Sequence, residues 1–186
     1  MDIADPAVAD HVVLLDGRGH QIGVADRRTV HSTATPRHLA FSCWLVAADG
    51  RVLITRRALG KRTWPGVWTN SCCGHPRPDE QLDHAVRRRV HEELGVELDE
   101  VVCALPDFSY RAVDRSGLVE NELCPMFHAT AVDGELSPDP HEVVDWTWEQ
   151  PERLRQAMTH APYAFSPWAR QQLPLLGDLS SPLGVG

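Results

Sequence analysis

No stretch of the 186-residue chain approaches the roughly 20 consecutive apolar residues that a membrane-spanning helix needs, so no membrane partner is expected. No basic start leads into an apolar run, so the N-terminus gives no sign of a secretory signal. Positive charge is scarce: 18 Lys and Arg against 26 Asp and Glu leave a net charge of −8. That balance speaks against general nucleic-acid binding, which wants a basic face, and an anionic substrate would need a local basic cluster. A disulfide framework is missing as well. Cys43, Cys72, Cys73, Cys103 and Cys124 are odd in number and scattered, as expected of a reducing, cytoplasmic compartment. The ligand spacing of a zinc finger is absent. No repeat and no linker divides the chain. One α/β domain is therefore expected over residues 1–186, with a core from about 11 to 176 and tails at 1–9 and 177–186. The chain is 42% hydrophobic and 24% charged, the balance of a globular protein.

The hydrophobic pattern predicts the elements in order. His11–Asp16 and Gln21–Ala25 read as strands about a turn at Gly17–Gly19, and Asp26–Val30 as a short helix or loop leading to His31. His38–Val46 reads as one buried strand, Asp49-Gly50 as a hairpin turn, and Arg51–Arg57 as the returning strand. Gly60–Pro78 is expected to be a long functional loop. Leu82, Ala85, Val86, Val90 and Leu94 recur at helical spacing, predicting a helix over Asp79–Leu94 with Asp79 as N-cap and Gly95 as its stop. Strands follow at Val96–Leu105, Asp107–Val113, Val119–Val132 (broken by Pro125) and Val143–Trp148. Helices are expected from Pro151 to about Thr159 and from Ser166 onward.

Chemistry-bearing residues gather around Thr69-Asn70-Ser71-Cys72-Cys73-Gly74-His75-Pro76, where Cys73 stands two residues from an imidazole. A free cysteine is commonly a buried small hydrophobe, but His75, a metal and a helix start nearby would favour a thiolate. Glu120 and Glu122 share one face of a strand, either as a metal site or as a solvated edge. His31 and His38 are either ordinary histidines or, with His75, the nitrogen ligands of a mixed site for a divalent ion such as Zn, Mn or Fe. Arg56–Arg62, with Lys61 within it, and Arg87–Arg89 are either solvated faces or a diphosphate site. Trp64, Trp68 and Trp168 are core or lid residues, or faces for a carbocation.

Gly74 to Val96 resembles a Nudix box, with Gly74, Glu80, Arg88, Glu92, Glu93, Gly95 and Val96 in place. Arg89 stands where a Nudix hydrolase has a metal-binding glutamate, which speaks against hydrolysis and for holding phosphate. That departure, and the strings Arg37–Ser42, Thr55–Ala58, Trp64–Ser71, Cys73–Pro76, Tyr110–Ala112, Glu120–Glu122 and Phe165–Trp168, resemble the type I isopentenyl-diphosphate delta-isomerases over about residues 11–170. The resemblance implies an α/β (α+β) fold with a mixed β-sheet sandwiched between helices. It implies a monomer or weak homodimer that interconverts isopentenyl and dimethylallyl diphosphate in isoprenoid biosynthesis, with Nudix-type diphosphate hydrolysis as the alternative. By the same resemblance, His31, His38, His75, Glu120 and Glu122 would bind one Mn2+ or Zn2+, and Glu93 would help position Mg2+ on the diphosphate. Cys73 and Glu122 would be catalytic with Tyr110 assisting and Trp168 facing the reacting carbons, and Arg57, Lys61 and Arg89 would hold the diphosphate.

Overall fold

The computed structural model describes residues 11–132 and 135–177, so the expected tail at 1–9 and all but the first residue of the expected tail at 177–186 lie outside the described residues. The strands are β1 (His11–Leu15), β2 (Gln21–Asp26), β3 (His38–Leu39), β4 (Phe41–Leu45), β5 (Val52–Arg57), β6 (Trp68–Thr69) and β7 (Cys72–Gly74), then, after α1 (Leu82–Leu94), β8 (Leu98–Leu105), β9 (Ser109–Val113), β10 (Val119–Leu123), β11 (Met126–Ala131) and β12 (Val143–Glu149). Helices α2 (Pro151–His160) and α3 (Pro167–Gln172) close the described chain with short 3-10 turns. Among the described residues no helix is long and apolar enough to cross a membrane.

The strands fall into three sheets rather than one. Their orders are β2-β1-β3-β10-β9, β7-β4-β11-β8 and β12-β5-β6. Two sequence strands change sheet side by side. His38–Val46 breaks at Ala40, whose N–H donates to Leu123 O, and Val119–Val132 breaks at Pro125, which has no N–H and whose carbonyl accepts from Ser42. Before the breaks β3 runs parallel to β10, and after them β4 runs parallel to β11. The first pair carries His38 and Glu122; the second builds the core.

That core has two sides. Phe41, Cys43, Leu45, Leu53 and Phe127 pack against Ala85, Val86, Val90 and Leu94 of α1. Trp44, Val52, Ile54 and Met126, from the alternate positions, pack with Leu154 and Met158 of α2 and Trp168 and Ala169 of α3. The strands are thus sandwiched between helices, as expected.

Two local expectations are corrected. Asp79 does not cap α1; it adopts a left-handed φ of 64°, and Gln81 occupies the N-cap position without a side-chain bond. Gly95 does end the helix, at φ 71°, where an added Cβ would lie 2.9 Å from Ser137 O. The Gly60–Pro78 segment is also not all loop, since β6 pairs with β5 and β7 with β4. Its polar residues are buried because they complete main-chain bonding between strands. Ser71 Oγ accepts from Leu45 N and donates to Leu53 O, both at 2.7 Å, and Thr55 Oγ1 donates to Asn70 O at 2.9 Å.

Candidate active site

Register in the five-stranded sheet places three site residues in a row. Glu122 on β10 stands opposite His38 of β3 on one side and Tyr110 of β9 on the other. His31 comes from the turn after β2, and His75 directly follows β7. One donor atom from each of His31, His38, His75 and Glu122 lies within 4.8 Å of the others. Glu122 Oε1 is 3.3 Å from Nε2 of His38 and His75 and 3.9 Å from Nε2 of His31.

The donor chemistry fits a cation. His38 Nδ1 lies 3.0 Å from the Pro36 carbonyl, which only accepts, so Nδ1 carries the proton and Nε2 presents a lone pair. That Nε2 is 3.2 Å from His75 Nε2, and His31 Nε2 is buried with no hydrogen-bond partner among the described residues. Lone pairs and a carboxylate oxygen this close repel unless a proton or metal ion lies among them. Imidazole nitrogens with a carboxylate suit a divalent metal of borderline character.

Glu120 stands one step behind this cluster. The Tyr110 hydroxyl is 2.6 Å from Glu120 Oε2 and 2.9 Å from Glu122 Oε2, while Thr63 donates to Glu120 Oε1 at 2.6 Å. The two carboxylates do share one strand face, as their spacing predicts. Burial, and then the charge of Glu122, push Glu120 above the usual carboxylate range. Glu122 is buried too, yet its imidazole partners hold it well below that range. Burial lowers His75 to about 4. Burial also acts on His38, but its contacts with Glu122 outweigh it and the net shift is upward. Burial and the two carboxylates drive Tyr110 well above its usual value, so it remains a hydroxyl.

Cys73 lines the same cavity as Glu122 but arrives from β7, a strand of a different sheet. Of the two readings of Cys73, its burial suits the thiol. Burial pushes Cys73 up to about 12, and its Sγ donates to Asn70 Oδ1 at 3.2 Å. Cys72 packs instead into the core on the α1 side. Trp168, 1% exposed, has its ring centroid 5.4 Å from those of Trp64 and Tyr110. Trp64 adopts a φ of 44°, costly for a bulky residue. The Arg57 guanidinium braces that turn, donating to the carbonyls of Trp64 at 3.2 Å and Thr63 at 3.0 Å, and lies 5.6 Å from the Trp168 ring centroid.

The cavity measures about 220 Å3, and one wall is cationic. Arg57, Lys61 and Arg89 line it together, and so do Arg27, Arg28 and Arg62. Arg27 and Arg28 escaped the sequence reading; the available signal was a basic pair just ahead of His31. Arg62 donates to the carbonyl of Arg28, tying down the turn that carries His31. Glu93 lies to one side, where it shares a smaller space of about 20 Å3 with Lys61, Cys73 and Glu142. Glu142 was also missed. Its carboxylate pairs with Lys61 and, at 3.4 Å, with Arg89, which pairs in turn with Glu93 and Glu92. Burial, with the charges of Arg57 and Arg89, outweighs nearby Glu93 and lowers Lys61 to about 8. Arg88 turns away and forks onto Glu80 at 2.7 and 2.8 Å, bracing the approach to α1. Gly74 lets Arg89 lie over β7, since a Cβ there would come within 3.0 Å of Arg89 Cγ and Phe41 Cζ.

A NUDIX domain profile matches residues 36–170. The isopentenyl-diphosphate Delta-isomerase of Frankia alni is 57% identical over 176 residues, covering 95% of this chain and 90% of the relative. The protein of that name from Clavibacter michiganensis subsp. michiganensis is 56% identical over 171 residues, covering 92% of this chain and 88% of the relative. A crystal structure from Deinococcus radiodurans aligns with a TM-score of 0.68 at 21% identity, over 88% of this chain and 97% of the other, a likeness of fold. The chain therefore carries a NUDIX domain and belongs to the isopentenyl-diphosphate Delta-isomerase family of enzymes.

Proposed function

We propose that the chain interconverts isopentenyl diphosphate and dimethylallyl diphosphate by adding a proton at one carbon and removing one from another. The observation that carries this reading is one cavity lined by a thiol, a carboxylate, an aromatic ring and a cationic wall. The reaction exchanges protons and no electrons. Protonation of the unactivated alkene leaves a tertiary carbocation that water would trap, so the site must be dry and must offer an aromatic face, which Trp168 supplies. Cys73 and Glu122, from different sheets, form the acid and base pair, with Tyr110 hydrogen-bonded to Glu122 at 2.9 Å. Arg57, Lys61 and Arg89 hold the diphosphate, where Arg offers a fork and Lys a point charge.

His31, His38, His75 and Glu122, with Glu120 behind, would hold one Mn2+ or Zn2+; Glu93 would help position Mg2+ on the diphosphate oxygens. Bound metal supplies charge that orients Glu122 and tunes its proton affinity, and masks phosphate charge. Diphosphate hydrolysis is the weaker reading. Arg89, a cation, is engaged with Glu92, Glu93 and Glu142 where a hydrolase needs another metal-binding carboxylate.

The test is proton NMR of the protein with Mg2+ and isopentenyl diphosphate in heavy water, beside a phosphate assay. Dimethylallyl diphosphate deuterated in its methyl groups, with no phosphate released, is the expected result. Phosphate without isomer would replace the isomerase with the hydrolase.

Substrate affinity is expected to depend on Lys61. Its lowered pKa of about 8 keeps the ammonium charged below that pH and neutral above it. The apparent KM should therefore rise as pH passes 8, approaching about tenfold per unit where this contact dominates, with kcat unchanged at saturation. Lys61→Arg stays charged throughout and should flatten the rise. Equal KM profiles for the two proteins between pH 7 and 10 would remove Lys61 from the diphosphate site.

A further inference from the structure

We propose that Asn70 is a positioning residue for the proton shift, a single buried amide that fixes the Cys73 thiol and the Trp168 indole relative to one another. The proposal rests on the isomerase reading.

Asn70 is fully buried. Its Oδ1 accepts from Cys73 Sγ at 3.2 Å, Trp168 Nε1 at 2.9 Å and Thr69 Oγ1 at 2.8 Å. Its Nδ2 donates to the carbonyls of Cys43 at 3.0 Å and Cys72 at 2.8 Å. Exchanging O and N would set donors against donors and acceptors against carbonyls, so the amide has one tenable orientation. Its anchors are on β4 and β7, paired at Cys43 and Cys72, so it is fixed to the sheet that presents Cys73. Thr69 adds a second tie, since Thr69 Oγ1 lies 2.8 Å from the hydroxyl of Ser166, the N-cap of α3.

Cys73 and Trp168 sit on different elements, and Asn70 is the atom-level link between them. Two consequences follow for the reaction. A shift of about 1 Å in a reacting group is enough to cost about 100-fold in rate. The indole N–H, satisfied by Asn70, is also not a free donor that would recruit water beside a carbocation. The Asn70 side chain bonds to Cys43, Thr69, Cys72, Cys73 and Trp168, none of which holds the diphosphate, so ground-state binding should not depend on it.

Asn70→Ala is expected to lower kcat about 100-fold while KM stays within about threefold. It should also leak a hydrated product. Cation capture by water forms a C–O bond at the tertiary carbon, and the proton lost by that water returns to the enzyme base, giving a tertiary alcohol diphosphate visible by NMR. Asn70→Ala also orphans the buried carbonyls of Cys43 and Cys72, so a readout that does not depend on the folding of a variant is measured beside it. Hydrogen exchange in the unsubstituted protein supplies a readout without a variant: the Trp168 indole N–H, assigned with Trp168→Phe, should exchange more slowly than that of Trp64. A folded Asn70 variant with full kcat and no alcohol, a loss in KM alone, or equal exchange of the two indoles would overturn the proposal. If the unsubstituted protein did not isomerise at all, the function would fail, while indole exchange would still report the Asn70 link.

Discussion

Glu122→Gln is expected to cut turnover by about 1,000- to 10,000-fold and to strip metal from the imidazole cluster, while leaving the fold intact. Nε2 of His38 and His75 both lie 3.3 Å from Glu122 Oε1, and that carboxylate is the one held ionised among them. Glutamine keeps the shape and an oxygen able to accept from Tyr110, now 2.9 Å away, so the sheet has no reason to rearrange. What disappears is the negative charge and the ability to take and return a proton, a function worth about 100- to 10,000-fold alone. Loss of an anionic ligand adds at least a 10- to 100-fold weakening of metal affinity, the scale already seen for groups that merely orient ligands. Turnover by NMR, metal content by elemental analysis and circular dichroism separate the three effects. Near-normal turnover with metal retained would exclude Glu122 from the reacting pair.

The legible part of this protein was local. The spacing of Leu82, Ala85, Val86, Val90 and Leu94 gave α1, and the two-residue spacing of Glu120 and Glu122 put both carboxylates on one face of β10, where the structure adds the Tyr110 hydroxyl. The strings around Cys73 and Glu120 brought the site residues into one expected group, and most of them line one cavity. The illegible part depended on partners distant in sequence. Alternation tells which face a residue takes but not which strand lies beside it, so the break at Ala40 could not be read, and the break at Pro125 was read without its change of sheet. Thr69, Asn70 and Ser71 look like loop residues because they are polar; yet all three are buried, Asn70 and Ser71 finishing main-chain bonds that the neighbouring strands leave open and Thr69 bonding Asn70 and Ser166. The state of Cys73 followed the same logic. Its neighbours in sequence left it between a buried thiol and a thiolate; the burial that raises its proton affinity comes from β4, α3 and the aromatic cluster around it. Glu142 had no local signal, since its meaning lies in Lys61 and Arg89, on other segments.

Cys73→Ser should lose about 1,000-fold or more in turnover while keeping its metal, and that contrast with Glu122→Gln is the sharper test of the two roles. Serine fits the space of cysteine and its hydroxyl can still donate to Asn70, so β7 and the adjacent His75 keep their places. The hydroxyl is a far weaker acid than a thiol, even one pushed up to about 12, and its conjugate base is correspondingly harder to form in a buried site. Proton transfer at one face of the substrate therefore fails while the opposite wall is untouched. If Cys73 and Glu122 serve a single proton relay, the double variant should be little slower than the worse single one, because a relay broken at one end gains nothing from the other. Independent losses that multiply would instead mean separate roles, for instance one residue in metal retention alone. Deuterium uptake into unreacted isopentenyl diphosphate gives the finer reading. Reversible protonation without completion would leave label in the substrate pool of the variant lacking the base, and none in the variant lacking the acid.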